Sequence, residues 1–195
     1  MAKSKKNAKK TVPSTPSKKA KKSAPSSKSP PLKSAKAVPI PDSGVPAGYH
    51  TATPYLAVRG AAAALAFYAK AFGAKELGRL TMPDGAIAHA EIQIGDSRIM
   101  LADEMPDWGN KGPQSLGGSP VGLCLYVKDA DAEVARALQA GAEIVRPVKD
   151  EFYGDRSGHI MDPFGHRWTI SQRKEDVSFR EMQRRMEALP HEPLP

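Results

Sequence analysis

Residues 53–80, TPYLAVRGAAAALAFYAKAFGAKELGRL, read as a short apolar strand, a turn, a helix ending in Gly73-Ala74, and a strand carrying basic residues. Residues 123–148, LCLYVKDADAEVARALQAGAEIVRPV, repeat that order. Val58 answers Val127 at an offset of 69 and Gly73 answers Gly141 at an offset of 68, so one residue is lost inside the helix. Spacing this constant marks a duplicated unit. Two copies of a half-sheet enclose a cleft when they face each other, so the duplication itself points to a small-molecule pocket.

In the first copy, residues 51–58 alternate, with Ala52, Pro54, Leu56 and Val58 on one face and Thr51, Thr53, Tyr55 and Ala57 on the other. One apolar face predicts a strand with a helix behind it. Leu65, Tyr68 and Phe72 recur at helical spacing and predict a helix over residues 61–72, stopped by a left-handed Gly73. Strands are expected over residues 75–81, 87–94 and 98–102, with turns at Pro83-Asp84-Gly85 and Gly95-Asp96. The second copy predicts a strand over 122–127 and a helix over 132–140, capped by Asp129 or Asp131 and stopped by Gly141. Strands over 144–148, 157–161 and 166–171 follow, with Asp162-Pro163-Phe164-Gly165 as a turn.

Each copy is thus βαβββ, over about residues 51–103 and 121–173. The Gly- and Pro-rich stretch 103–120, with its isolated Trp108, is a connector or a lid. Ser178 with Glu181 three residues on forms a capping box for a helix reaching Leu189, with Met182, Met186 and Leu189 on one side. That helix packs on its own domain or makes a dimer contact. The fold class expected is α+β: two βαβββ modules forming a curved mixed-sheet cup with helices on the convex side, plus a C-terminal helix. The domain spans residues 46–175 and the helix and tail residues 176–195.

Charge divides the chain. Residues 1–45 hold twelve lysines, one acid (Asp42), seven prolines, nine serines and no aromatic residue, a net charge of 12 − 1 = +11. Such a composition buries too little apolar surface to offset ordering entropy, so a disordered basic arm is expected. The remaining 150 residues carry 29 − 12 = 17 basic and 21 − 1 = 20 acidic residues, net −3. They are enough for one domain with a real core. Cys124 is the single cysteine, which rules out an intrachain disulfide and fits a reducing, cytoplasmic setting. No apolar run approaches the ~18 residues of a membrane span. Lysines spaced by Ser, Pro and Ala resemble histone-type tails, whose weak, sequence-blind hold on nucleic acid comes from counterion release. A solvated appendage is the alternative reading.

The paired modules, together with TPYLAV, AFYAKAFGA, IAHAEIQIGDSRIMLAD, FYGDRSG and DPFGHRW, resemble the vicinal oxygen chelate superfamily of glyoxalases, bleomycin-resistance proteins and extradiol dioxygenases, and within it the PhnB-like branch. The resemblance covers roughly residues 45–173. It implies a small-molecule site in the cup and a homodimer. In metal-using members each module supplies two ligands, from its first and last strands. Strand phase places those positions at Thr53, Met100, Gly122 and Thr169, none of which is His or Glu. A divalent ion needs imidazole nitrogen or carboxylate oxygen there, so no metal and no other cofactor are expected.

By the same alternation His89, Glu91 and Gln93 share the concave side with Thr53, Tyr55, Arg98, Met100, Cys124, Tyr126, Arg167 and Thr169. His89 and Glu91, two apart on a strand, project to one face about 7 Å apart. There the carboxylate raises the imidazole pKa toward a general base near neutrality, or the pair serves as hydrogen-bonded wall. These two are the catalytic candidates. A site built on His89, Glu91 and His159 is the variant metal arrangement. In the glycine-flanked FYGDRSG turn, Arg156 beside Asp155 either clamps a ligand carboxylate or phosphate or pins the hairpin. The ligand-binding candidates are Thr53, Tyr55, His89, Met100, Cys124, Tyr126, Tyr153, Arg156 and Thr169. The functions compatible with them are a small-molecule-binding relative without the usual metal, derived from a lyase or dioxygenase, a ligand-sequestering protein, and a scaffold tethered to nucleic acid by the arm.

Overall fold

A computed structural model describes residues 44–190. The expected disordered arm therefore lies outside the described residues, apart from Gly44 and Val45. The first module runs β1 (Tyr55–Val58), α1 (Ala61–Phe72), β2 (Lys75–Thr81), β3 (Ile87–Ile94) and β4 (Ser97–Asp103). A 3₁₀ turn at Pro106–Trp108 and a one-turn α2 (Pro113–Leu116) occupy the connector. The second module runs β5 (Gly122–Tyr126), α3 (Ala130–Ala140), β6 (Glu143–Asp150), β7 (Asp155–Met161) and β8 (Arg167–Arg173), followed by α4 (Phe179–Glu187). The two mixed four-stranded sheets have equivalent orders, β1-β4-β3-β2 and β5-β8-β7-β6, with the first strand of each module parallel to its last.

Both module helices stop where the glycines require. Gly73 has φ 63° and Gly141 φ 113°, the left-handed region that costs a residue with a Cβ about 1 kcal/mol. Asp129 caps α3 by accepting from Ala132 N at 3.0 Å. Helix α1 begins at Gly60, which has no side chain to cap with. Asp103 at the end of β4 substitutes from a distance, its Oδ1 accepting from Gly60 N and Ala61 N at 2.9 and 2.8 Å. One correction falls on β1: residues 51–54 are not strand, and Ala52 and Pro54 are exposed instead of joining an apolar face. Pro54 has no N–H for the ladder, so pairing thins to one bond, from Met100 N to its carbonyl at 2.9 Å.

Helix α1 packs on β2, β3 and β4, α3 packs on β6, β7 and β8, and the two helices pack on each other. Leu56, Val58, Ala90, Ile92, Ile94, Ile99 and Leu101 of the first sheet share one buried core with Ile160, Trp168 and Ile170 of the second. Aromatic rings join the modules inside it, with Phe72 and Trp168 centroids 4.7 Å apart and Phe67 and Phe164 6.1 Å apart. Such pairs contribute about 0.5–1.5 kcal/mol beyond their buried area. The opposite face of each sheet stays open, and the candidate site lies on these faces.

Candidate functional site

Period-two alternation sends Ala90, Ile92 and Ile94 of β3 toward α1 and His89, Glu91 and Gln93 to the open face. Register then aligns Tyr55, Met100, Glu91 and Gly78 in one row across the first sheet. Tyr55, 50 % exposed, lies with its hydroxyl 3.2 Å from His89 Nδ1. His89 Nε2 lies 3.4 Å from Glu91 Oε1. With Nε2–H donated to the carboxylate, Nδ1 accepts the Tyr55 proton, and one tautomer satisfies the whole line. The Tyr49 hydroxyl also bonds Glu91, and with His89 and Arg98 it holds that carboxyl below the usual carboxylate range. Burial, then Glu91 itself, pushes the Tyr49 phenol up. Arg98 closes the group, with its guanidinium 4.5 Å over the Tyr49 ring and 3.7 Å from Glu91.

Beside this line is a hollow of about 350 Å³ bounded by Leu77, Gly78, Arg79, Leu80, His89 and Glu91. It exists because β2 bulges between Glu76 and Gly78 and places a residue without a side chain opposite Glu91. Leu77 and Leu80 are exposed along it. The site therefore offers apolar contact beside a fixed row of hydrogen-bonding groups.

The second sheet repeats the arrangement with different residues. Cys124, Thr169 and His159 form one row of its open face, and Tyr126, Ser171 and Ser157 the next. Burial, followed by the Arg146 and Arg167 charges, pushes the His159 imidazole down. Desolvation pushes the Cys124 thiol up, away from nucleophile chemistry. Tyr153 sits half-buried with its hydroxyl 3.1 Å from Ser157 Oγ. Arg156 points the other way: its fork holds Asp131 of α3 at 2.6 and 2.8 Å and Asp150 at 3.1 Å, so all three guanidinium nitrogens are engaged. Asp155 pairs with Arg173 instead, at 3.1 Å. Thr53 lies before β1 and donates to His50 O at 3.3 Å.

Of the ligand-binding candidates, Tyr55, His89 and Met100 thus meet on the first sheet, and Cys124, Tyr126, Tyr153 and Thr169 on the second. Arg156 reaches neither open face. Among the described residues no three His, Cys, Asp or Glu side chains are placed to hold an ion together; His159 is on the other sheet from His89 and Glu91. Tyr49, which completes the first cluster, was missed by strand phase because it precedes β1 in irregular chain. Its aromatic ring close before a strand was the one available signal.

A third feature lies between the modules. A cleft of about 280 Å³ runs along β1 from Pro54 to Ala57, walled by connector residues such as Lys111, Leu116 and Pro120, with His166 at its end. His166 is buried and donates from Nε2 to Ala57 O at 3.2 Å. The connector is pinned there by Glu104, which receives Arg59 Nε at 2.8 Å, Ser115 Oγ at 2.6 Å and Gly112 N at 3.1 Å. Those bonds hold the Glu104 carboxyl down to about 2.

Two four-stranded βαβββ modules, each with one open face, define a small α+β class, and residues 49–170 match the model of the Glyoxalase/Bleomycin resistance protein/Dioxygenase superfamily. The chain belongs to that superfamily. An uncharacterized protein of Mycobacterium bovis is 46% identical over 137 residues, 69% of this chain and 90% of its own length. The X-ray structure of an Arabidopsis thaliana gene product is 29% identical, with a TM-score of 0.52, covering 63% of this chain and 98% of that one. A PhnB protein from Bacillus cereus, described as a putative 3-demethylubiquinone-9 3-methyltransferase, shares the fold at 16% identity, with a TM-score of 0.50 over 63% of this chain and 99% of that one. No helix among the described residues is long and apolar enough to cross a membrane.

Proposed function

We propose that the protein binds a small polar organic molecule on the open face of its first sheet, without a divalent metal. The observation that carries this reading is the hydrogen-bonded line Tyr55–His89–Glu91 along the 350 Å³ hollow floored by Gly78. Its donors and acceptors are held in place by one another, so a ligand gains orientation at small entropic cost. Strand phase assigns the ligand places of metal-using relatives to Thr53, Met100, Gly122 and Thr169, a set with no imidazole or carboxylate; Thr53 itself stands just before β1, where Tyr55 is the residue opposite Met100. Ile144 and Val145, exposed on the outer strand β6 away from the hollow, support a homodimer that covers them. The basic arm supplies a second, separate role as a salt-sensitive tether to nucleic acid in the cytoplasm.

A thermal-shift screen of small organic acids, amides and phenols tests the reading. A ligand at a hundred times its Kd stabilises by about 2.7 kcal/mol, and Tyr55→Phe and His89→Gln each cut that shift, Tyr55→Phe to roughly 1.5 kcal/mol. Hits whose shift is undiminished in both variants place the ligand elsewhere. Titration with Zn, Ni, Mn or Fe gives no stoichiometric uptake; one tight ion per chain overturns the metal-free part. Removing residues 1–45 abolishes DNA retention at moderate salt, and retention by the shortened chain rejects the tether.

A further inference from the structure

The polar groups of the second sheet converge on one carboxylate that the first-sheet site does not use. Asp155 is 3 % exposed at the start of β7. It points to the open face, since Arg156 beside it reaches α3 on the other. Its Oδ1 is buried and makes no hydrogen bond among the described residues. Arg173 Nε stands 3.1 Å away, in a charge contact that does not align as a hydrogen bond. A carboxylate this deep is costly to bury unless its lone pairs are filled. Ser157 and Ser171, both buried, lie in the neighbouring row, and the ring of Tyr126, 59 % exposed, forms the outer wall. The Arg173 guanidinium lies 6.0 Å from that ring. Its other contacts are long, 3.4 Å to Tyr153 O and 3.5 Å to Glu175 O, and its side chain is 43 % exposed. A part-exposed cation of the protein's own thus covers a buried carboxylate that takes the Tyr126 hydroxyl but whose Oδ1 has no aligned hydrogen bond.

Extending to the second sheet the reading above that the open face of the first takes a small organic molecule, we propose that this face is a subsite for a cationic head group, alkylguanidinium or alkylammonium. Asp155 is its counter-ion, Tyr126 its aromatic wall, and Arg173 the resident cation it displaces. A ligand guanidinium aligned with Asp155 makes the charge-assisted hydrogen bonds that Arg173 Nε does not, at about 2.7–2.9 Å. The same group stays within about 6 Å of the Tyr126 centroid, the range of cation–π attraction. Once displaced, Arg173 returns to water from a position it already half occupies.

The test is a thermal-shift and calorimetric titration of the full chain with benzylguanidine, against benzyl alcohol as the neutral probe of similar shape. Benzylguanidine stabilises the protein and benzyl alcohol does not. Arg173→Met, which removes the competing cation, tightens benzylguanidine on the order of tenfold. Asp155→Asn abolishes the response. Because a buried substitution of that kind can prevent folding, Tyr126→Leu on the exposed wall serves as the second variant and weakens binding about threefold to tenfold. Equal responses to the two probes, no response to benzylguanidine, or an Arg173→Met protein that binds no tighter each overturn the inference. None of these outcomes touches the first-sheet reading, which fails only through the Tyr55 and His89 variants.

Discussion

The hydroxyl of Tyr68 on α1 donates a 2.8 Å hydrogen bond to Oδ2 of Asp162, in the turn between β7 and β8 of the other module. Trp168 Nε1 donates to the same oxygen at 3.0 Å, while Oδ1 accepts from Phe164 N and His166 N at 2.9 Å each. One buried carboxylate therefore sets the β7–β8 turn, orients the core Trp and ties the modules together. Its four donors fill its lone pairs, which is what makes burying it tolerable.

Tyr68→Phe removes one of those donors and leaves Asp162 with three. The expected loss is about 1.5–3 kcal/mol, the worth of a hydrogen bond to a charged partner, measured by urea unfolding. Burial, followed by the Asp162 charge, pushes the Tyr68 phenol well above its ordinary value of 10.0. The folded chain keeps this proton where the unfolded chain releases it, so the contribution is complete below pH 10 and is lost as pH rises further. An alkaline unfolding limb present in the wild type is accordingly reduced in Tyr68→Phe. A Tyr68→Phe protein with unchanged midpoint and unchanged limb refutes the role given to this bond.

Gly154 is at φ +91°, and a Cβ there meets Glu175 O at 2.5 Å and Val177 Cγ2 at 2.8 Å. Its carbonyl accepts from Lys174 N at 2.9 Å and Glu175 N at 3.0 Å, so the FYGDRSG turn is the seat for the chain leaving β8. Gly154→Ala combines left-handed strain with a backbone clash and costs about 2–4 kcal/mol. Gly85, also at φ +91° but with open space around it, isolates the strain alone, and Gly85→Ala costs about 1 kcal/mol. Equal losses at the two positions contradict the packing argument.

Much of this architecture was legible because its signals are local. The helix over 61–72 carries its own apolar spacing and its own glycine stop, and β3 carries strict alternation from Ala90 to Ile94. What escaped depends on distance. Asp162 in DPFGHRW reads as a turn residue, and nothing near it reveals that Tyr68 completes its bonding. Asp155 and Arg156 read as a pair because they are adjacent, yet adjacent residues of a strand face opposite ways. Asp155 therefore meets Arg173 across the sheet, while Arg156 meets Asp131 behind it. The polar face of His89 and Glu91 followed from alternation, whereas the addition of Tyr49 needed the path of an irregular segment.

The pinning of the connector by Glu104 has a pH signature. Ser115, then Arg59 and Gly112, hold its carboxyl down from 4.5 to about 2. A depressed carboxyl contributes in full above its unfolded value and loses that contribution as pH falls through the folded one, so the window runs from about pH 4.5 to pH 2. The protection factor of Gly112 N, its exchange taken relative to the intrinsic rate at each pH, falls across that window while the amides of α1 stay protected. Glu104→Gln shows the lowered protection already at neutral pH. Slow exchange at Gly112 in that variant rules out the pin.

Tyr55 is half-exposed, and its hydroxyl serves His89 and not the core. Tyr55→Phe is therefore expected to leave unfolding within about 0.5 kcal/mol of wild type, as surface changes do. Its effect falls on the line it begins. Without the phenol, Nδ1 of His89 loses its donor, and the imidazole keeps only the 3.4 Å contact to Glu91. The ring then has one fixed nitrogen instead of two and reorients more freely, so ligand affinity drops about fivefold to tenfold, the worth of roughly one hydrogen bond. Imidazole NMR distinguishes this from a stability effect: the His89 ring signals shift and broaden in Tyr55→Phe, while those of buried His166 do not move. Sharp, unshifted His89 signals, or a stability loss of several kcal/mol, remove Tyr55 from the binding row and make it a structural residue.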